Sequence, residues 1–287
     1  MRLFKYLHPD RTDVLRNNAI RFSSPRVLND PFEMRPHIAG YYPPGRLSSE
    51  FARLVPEVTA QEYSESPAEL RAVLPLEVFQ AFMQPLWPGL EAKVQSGFEM
   101  IVPPIREMMT QKFEENLGIL CLTESPTNLL MWAHYADSHQ GLVVEFDPES
   151  PFFDQRVGPE DDLRHLRKVI YQDERPAVFL TEIEEFSPFL TKGIDWSYEA
   201  EWRMMMPLFA ANQIIGEGPT AVHLFEVPKA AIKGVIFGCR MSDEKKTEIR
   251  QILQDSPEYE HVRCSQARID EEHYRVLVTD GAEEQIG

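Results

Sequence analysis

The sequence predicts an α+β fold: a mixed, mostly antiparallel sheet core that carries a helical insertion. Two observations carry this reading. Beyond residue 117 the chain is rich in short apolar runs of strand length, such as Leu117–Thr123 and Leu142–Phe146, and poor in long helical patterns. Between about residues 47 and 116, helix-like periodicities broken by prolines dominate instead. A helical block set inside a strand-rich chain is the pattern of segregated α+β packing rather than of alternating units. Residues 1–287 read as one domain, with 47–116 inserted into it.

The elements follow in order. Residues 2–7 form a short strand, Asp10 or Thr12 caps a helix to about Asn17, and Ile20-Arg21-Phe22 is a second strand closed by Ser23-Ser24-Pro25. Leu28-Asn29-Asp30-Pro31-Phe32-Glu33 is a turn, because Asn-Asp-Pro disfavours a continued helix. Helical patterns at 48–55, 67–73, 76–84 and 89–115 make up the insertion, with Pro56, Pro67, Pro75, Pro85 and Pro88 as breaks. Asn128 caps a helix to about Asp137. Strands are expected near 168–172, 198–206, 221–227, 233–237 and 274–278, and an amphipathic helix from Ser242 to about Leu253.

Composition narrows the function. The formal net charge of −17 argues against a broad phosphate-binding surface, so no general nucleic-acid face is expected. Three scattered cysteines with no C-x-x-C pair support neither a zinc ribbon nor a disulfide framework. With no signal-peptide pattern and no run of 18 apolar residues, a cytoplasmic protein without a membrane span is expected. Phosphate-loop, dinucleotide-fingerprint, H-E-x-x-H and G-x-S-x-G patterns are absent.

Three polar–aromatic clusters remain. The densest is Trp196-Ser197-Tyr198-Glu199-Ala200-Glu201-Trp202-Arg203. As a strand it places Tyr198, Ala200 and Trp202 on one face and Glu199, Glu201 and Arg203 on the other. That second face is either the floor of a site or a solvated ladder of weak ion pairs. The second cluster is Trp132-Ala133-His134-Tyr135, with His139 five residues after His134, which is not the spacing of a helical metal pair. On a helix, Leu129, Trp132, Ala133 and Ala136 share one face and Met131, His134 and Tyr135 project elsewhere; either Trp132 and Tyr135 pack and His134 bonds locally, or the cluster belongs to a site. The third is Asn29-Asp30-Pro31-Phe32-Glu33, either a self-capped turn or part of a site. No metal is expected.

Taken with the start Leu3-Phe4-Lys5-Tyr6, these segments resemble the bacterial DUF2971 family, whose members share a Y-K-Y-like start, N-D-P-F-E, M-W-x-H-Y-A and W-x-x-E-x-E-W-R. The resemblance spans about residues 3–240, with 47–116 as the variable part. Phe4 and Leu7 depart from it, standing where the family often carries Tyr and a basic residue. More distantly, the layout is similar to that of ADP-ribosyltransferases, which divide an NAD site between a first strand, a middle segment and a late E-x-E. Cys121-Leu122-Thr123-Glu124-Ser125-Pro126 with Met131-Trp132 looks like the middle segment of the DNA-modifying toxins of that class.

That resemblance implies roles. Glu201 would stabilise an oxocarbenium-like ribose, and Glu199 would orient or deprotonate the acceptor. Lys5, Tyr6, Thr123, Trp132, His134, Tyr135 and Arg203 would contact NAD, the co-substrate, with Trp132 or Tyr135 stacking on nicotinamide and Arg203 either pairing with a phosphate or holding Glu201 in place. The chain would then be a toxin or antiphage effector acting on an unidentified macromolecular or small-molecule acceptor. Two alternatives stay open: a metal-dependent nuclease built on Asp30, Glu33, Glu199 and Glu201, and a noncatalytic binding or sensing module. The enzyme reading requires Glu199, Glu201, Tyr135 and residues 5–6 to converge on one cleft.

Overall fold

A computed structural model describes residues 1–183 and 186–280. Strand β1 (Leu3–Leu7) and the one-turn helix α1 (Asp13–Arg16) lead to β2 (Ala19–Phe22) and β3 (His37–Gly40). Helices α2 (Arg46–Glu65), α3 (Ala68–Val73), α4 (Leu76–Met83) and α5 (Trp87–Asn116) follow. Next come β4 (Leu117–Thr123), α6 (Leu129–Tyr135) and β5 (Leu142–Phe146). Four short strands succeed them: β6 (Arg167–Lys168), β7 (Ile170–Gln172), β8 (Ala177–Phe179) and β9 (Thr191–Gly193). The chain ends through β10 (Glu201–Pro207), β11 (Gln213–Ile215), β12 (Val222–Glu226), β13 (Ile232–Phe237), α7 (Asp243–Gln254), β14 (Arg263–Ile269) and β15 (Val276–Asp280).

The chain divides into two compact units. The first comprises Met1–Arg35, Lys112–Arg175 and Phe186–Gly287, and the second Pro36–Gln111 and Pro176–Glu185. The second unit holds α2 to α4, α5 as far as Gln111, and the parallel pair β3–β8, which the sequence does not announce. Pro56 lies inside α2 rather than ending it. No helix among the described residues is long and apolar enough to cross a membrane.

The first unit is built on an eight-stranded sheet ordered β15-β14-β13-β5-β1-β4-β10-β6. Its pairings are antiparallel except β13 with β14, so the mixed, mostly antiparallel sheet expected from the sequence is present. Strand alternation divides the core between its two faces. Leu3 and Leu7 of β1 join Leu120, Leu122, Met204 and Met206 and the buried face of α7 (Ile249, Ile252, Leu253). Phe4 and Tyr6 join Met131, Trp132 and Ala136 on the opposite side.

One joint in this sheet is loose. β1 makes five registered pairs with β5, and β4 makes seven with β10, yet β1 and β4 meet only at Phe4 and Thr123. Beyond that pair, the Lys5 ammonium donates to the Cys121 carbonyl oxygen at 3.0 Å.

Three expectations need correction. The strand expected over 198–206 starts only at Glu201: Ile194–Glu199 is a 3₁₀ turn, and Ala200 adopts a left-handed φ of 43°. Alternation therefore does not relate Glu199 to Glu201, and the side of the strand carrying Glu201 and Arg203 is buried, as are Met204 and Met206 on the other side. The strand expected over 168–172 is two strands in different sheets, divided at Val169. β9, β11 and β14 were not expected at all.

The turn after α6 is tightly constrained. Asp137, Ser138 and His139 all have positive φ, and a Cβ at Gly141 would fall on the carbonyl oxygen of Leu7. Because backbone cannot yield cheaply, Gly141→Ala is expected to destabilise the protein by about 3 kcal/mol in urea unfolding. A loss of a few tenths would show that the turn relaxes freely.

Candidate functional site

The site centres on a lysine. Lys192 sits in the three-residue strand β9, which pairs in parallel with β7. Its ammonium reaches Glu199 Oε2 at 2.6 Å, Glu33 Oε1 at 2.8 Å and Glu201 Oε2 at 3.3 Å, and lies 4.7 Å from the Trp196 ring centroid. Arg203 closes the cluster from β10. Its Nε donates to Glu201 Oε1 at 2.7 Å, and its Nη2 to Glu201 Oε2 at 2.8 Å and to Glu33. All five side chains are buried, and Arg203 is 0% exposed. Buried charge is tolerated only when paired in this way.

Local structure delivers these groups. The Asn29–Glu33 turn is held by Asp30, whose carboxylate accepts from the Phe32 N–H at 2.9 Å. The left-handed Ala200 swings the chain from the 3₁₀ turn into β10, so Glu199 and Glu201 approach Lys192 from different backbone directions. The Thr123 hydroxyl donates to the Glu199 carbonyl at 2.5 Å, and the Glu201 N–H donates to the Tyr171 hydroxyl at 2.9 Å. Asn128 caps α6 by accepting from the Leu130 and Met131 N–H groups, and its amide donates to the Tyr198 carbonyl at 3.1 Å.

The cluster forms one wall of a cavity of about 360 Å³, in the range of small-molecule sites. Glu33, Lys192, Glu199 and Glu201 line it together with Phe4, Lys5 and Tyr6 of β1, Cys121 of β4, and Met131, His134 and Tyr135 of α6. Both strands of the loose joint thus contribute to the wall. Tyr135 links the aromatic and acidic sides: its hydroxyl donates to Glu199 Oε1 at 2.5 Å and accepts from Asn29 Nδ2 at 2.7 Å.

Three carboxylates face two cations here, and the imbalance separates the two glutamates. Burial opposes ionisation of both. For Glu201 the adjacent Arg203 and Lys192 overcome it and pull the pKa down to about 2. For Glu199 burial prevails and the pKa is raised, with the charge of Glu201 adding to the rise. Lys192 is disfavoured by burial, but Glu201, Glu33 and Glu199 hold it firmly protonated. A pair of carboxylates driven apart in this way supplies one permanent anion and one proton-exchanging group.

The expected site residues divide cleanly. Glu199, Glu201, Glu33, Asn29, Lys5, Tyr6, His134 and Tyr135 all reach the cavity. Trp132 does not: it is 0% exposed, lies edge-on to Tyr6 at 5.1 Å, and donates to the Pro126 carbonyl, which makes it a core brace rather than a stacking platform. Thr123 and Arg203 are likewise sealed off and support Glu199 and Glu201 from behind. Asp30 is buried in its turn. The helical face is also corrected: Met131, Trp132 and Ala136 are buried, while Leu129 and Ala133 are exposed. Lys192 and Trp196 were not singled out as site groups; in Thr191-Lys192-Gly193 no periodicity marks the lysine, and only the nearby acidic pair hints at it.

Of the four carboxylates of the metal-dependent nuclease alternative, Glu33, Glu199 and Glu201 share the Lys192 ammonium, and Asp30 accepts from the Phe32 N–H within its own turn. Among the described residues no group of three or more His, Cys, Asp and Glu side chains is arranged to hold a metal ion.

Residues 131–204 match the model of a family described as a protein of unknown function, DUF2971. The matched span is narrower than the run of motifs at 3–240, but it includes Tyr135, Lys192, Glu199, Glu201 and Arg203. No curated protein and no solved structure matches the chain.

Glu201→Gln removes the carboxylate that Arg203 grips twice, and is expected to cost about 3 kcal/mol at pH 7. Because the folded pKa of about 2 lies below the ordinary 4.5, this stabilisation is complete above pH 4.5 and is lost as the pH falls toward 2. The gap between wild type and variant should therefore narrow over that window in urea titrations. A gap independent of pH would mean that Glu201 is not held ionised by its partners.

Proposed function

We propose that this cavity is the centre of an NAD-cleaving enzyme of ADP-ribosyltransferase type. One observation carries the reading: Glu199, Glu201, Tyr135 and the β1 residues Lys5 and Tyr6, from four separate segments, line a single cavity. That convergence is what a split NAD site requires.

The chemistry suits the residues. Breaking the nicotinamide–ribose bond sends its electron pair to the ring nitrogen and leaves positive charge on the ribose. Glu201, locked as an anion, stabilises that charge without reorganising. The acceptor's oxygen then bonds to the ribose carbon, and its proton passes to Glu199 by way of the Tyr135 hydroxyl. The apolar and aromatic wall of Phe4, Tyr6, Met131 and Tyr135 suits a flat heteroaromatic ring. An NAD-consuming activity of this kind fits a toxin or antiphage effector.

The second reading, a noncatalytic binding module, is favoured by the partners already held by each carboxylate. Glu199 is bonded by Lys192 and Tyr135, and Glu201 by Arg203 and Lys192. A carboxylate offers about four acceptor positions, so Glu199, with two in use, retains room for a ligand.

Glu199→Gln separates the two readings. It leaves two carboxylates for two cations, so the fold should be retained. Nicotinamide release from NAD, measured with water and with protein, DNA and RNA acceptors, is expected from wild type and to fall about 100-fold in the variant at similar melting temperature. A wild-type protein that neither releases nicotinamide nor is stabilised by NAD would overturn the proposal.

A further inference from the structure

Lys192 occupies the centre of the cluster but has no part in the chemistry above. We propose that Lys192 is a positioning residue: its ammonium fixes the Glu199 carboxylate against the Tyr135 hydroxyl, so that Tyr135 presents the proton-carrying oxygen to the cavity. The inference rests on the proposed NAD-cleaving reading and assigns its proton path.

The geometry is specific. Glu199 uses one oxygen for each partner, Oε2 to Lys192 at 2.6 Å and Oε1 to Tyr135 at 2.5 Å. Its backbone is pinned as well, through the Thr123 hydroxyl. With its proton directed at Glu199 and one lone pair accepting from Asn29, the Tyr135 oxygen keeps a second lone pair for an incoming proton. Transfer is then balanced: the acceptor's O–H proton moves to Tyr135 as the tyrosine's own proton moves to Glu199, and the tyrosine is neutral before and after. Tyrosinate never forms as a free species, which matters because burial and the Glu199 charge both raise the Tyr135 pKa.

Lys192 and Arg203 together balance Glu33 and Glu201, and Glu199 is the extra acid, which Lys192 holds in addition. The charged and titratable groups facing Glu199 are Lys192 from β9, Glu201 and Arg203 from β10, Glu33 from the turn before β3, Tyr135 from α6, Tyr171 from β7 and its neighbour Tyr198. Of these, Lys192 is the cation that bonds Glu199 directly. Removing it must raise the Glu199 pKa further, and because the ionised form accepts the proton, the acidic limb of the rate profile must move to higher pH.

The test uses the full chain with Lys192→Met/Glu33→Gln, which removes one charge of each sign, and with Lys192→Arg, which keeps the charge but changes its shape. Carbon-detected NMR follows titration of the Glu199 carboxyl, identified by its loss in Glu199→Gln, while nicotinamide release from NAD is measured as a function of pH. In the double variant the Glu199 midpoint and the acidic limb are expected to rise together by about one pH unit. Its kcat is expected to fall about 100-fold, with NAD affinity unchanged. In Lys192→Arg the midpoint should stay near that of wild type while kcat falls. Unchanged midpoint and kcat in the double variant would overturn the proposal, and so would full activity in Lys192→Arg if the double variant does not fold. If wild type releases no nicotinamide, the NAD reading fails, but a midpoint that rises in the double variant still places Glu199 under the control of Lys192, and one that does not rise refutes it.

Discussion

The structure of this site depends on burying two cations against three carboxylates. Taken singly, each of these charges would be expelled from the interior or neutralised. Together they hold four segments in register: the Asn29–Glu33 turn, β9, the Ile194–Glu199 turn and β10. Hydrophobic packing alone would leave the angles between such short elements loosely set. Bidentate and three-way ionic contacts fix them because their geometry is directional.

The same arrangement explains why a cavity exists beside a dense core. β1 is paired along its length with β5 on one side but shares a single ladder pair with β4, and the space along that joint is walled by residues of both strands. The acidic cluster supplies one wall and the aromatic side of α6 another. One wall thereby supplies the electrostatics and another the shape, and Tyr135 connects them.

Much of the fold was legible because apolar patterning is local. β4 begins and ends at the residues expected, β5 likewise, and Asn128 caps α6 as its side chain allows. The acidic pair was legible as chemistry but not as geometry. E-x-E in an aromatic-rich run reads as alternation, whereas the left-handed turn at Ala200, a residue with no local preference for it, is imposed by tertiary contacts. Trp132 stayed open between core and ligand contact for a related reason. An aromatic residue beside polar ones looks available to a ligand, and only packing against Tyr6 reveals that it is core. Lys192 was illegible because a three-residue parallel strand has no period, and its three partners lie from 7 to 159 residues away. β14 escaped because Arg263-Cys264-Ser265-Gln266-Ala267 carries few apolar residues and takes its place by pairing with β13.

The central claim is that Glu201 faces the ribose of NAD in this cavity. A crystal structure of the slowed Glu199→Gln variant with NAD tests it most directly. The ribose carbon that bears nicotinamide is expected to lie within about 4 Å of the Glu201 carboxylate, close enough for reaction-ready contact. The ring should rest on the Phe4, Tyr6 and Tyr135 wall. NAD bound elsewhere, or a cavity that stays empty at saturating NAD, would contradict it.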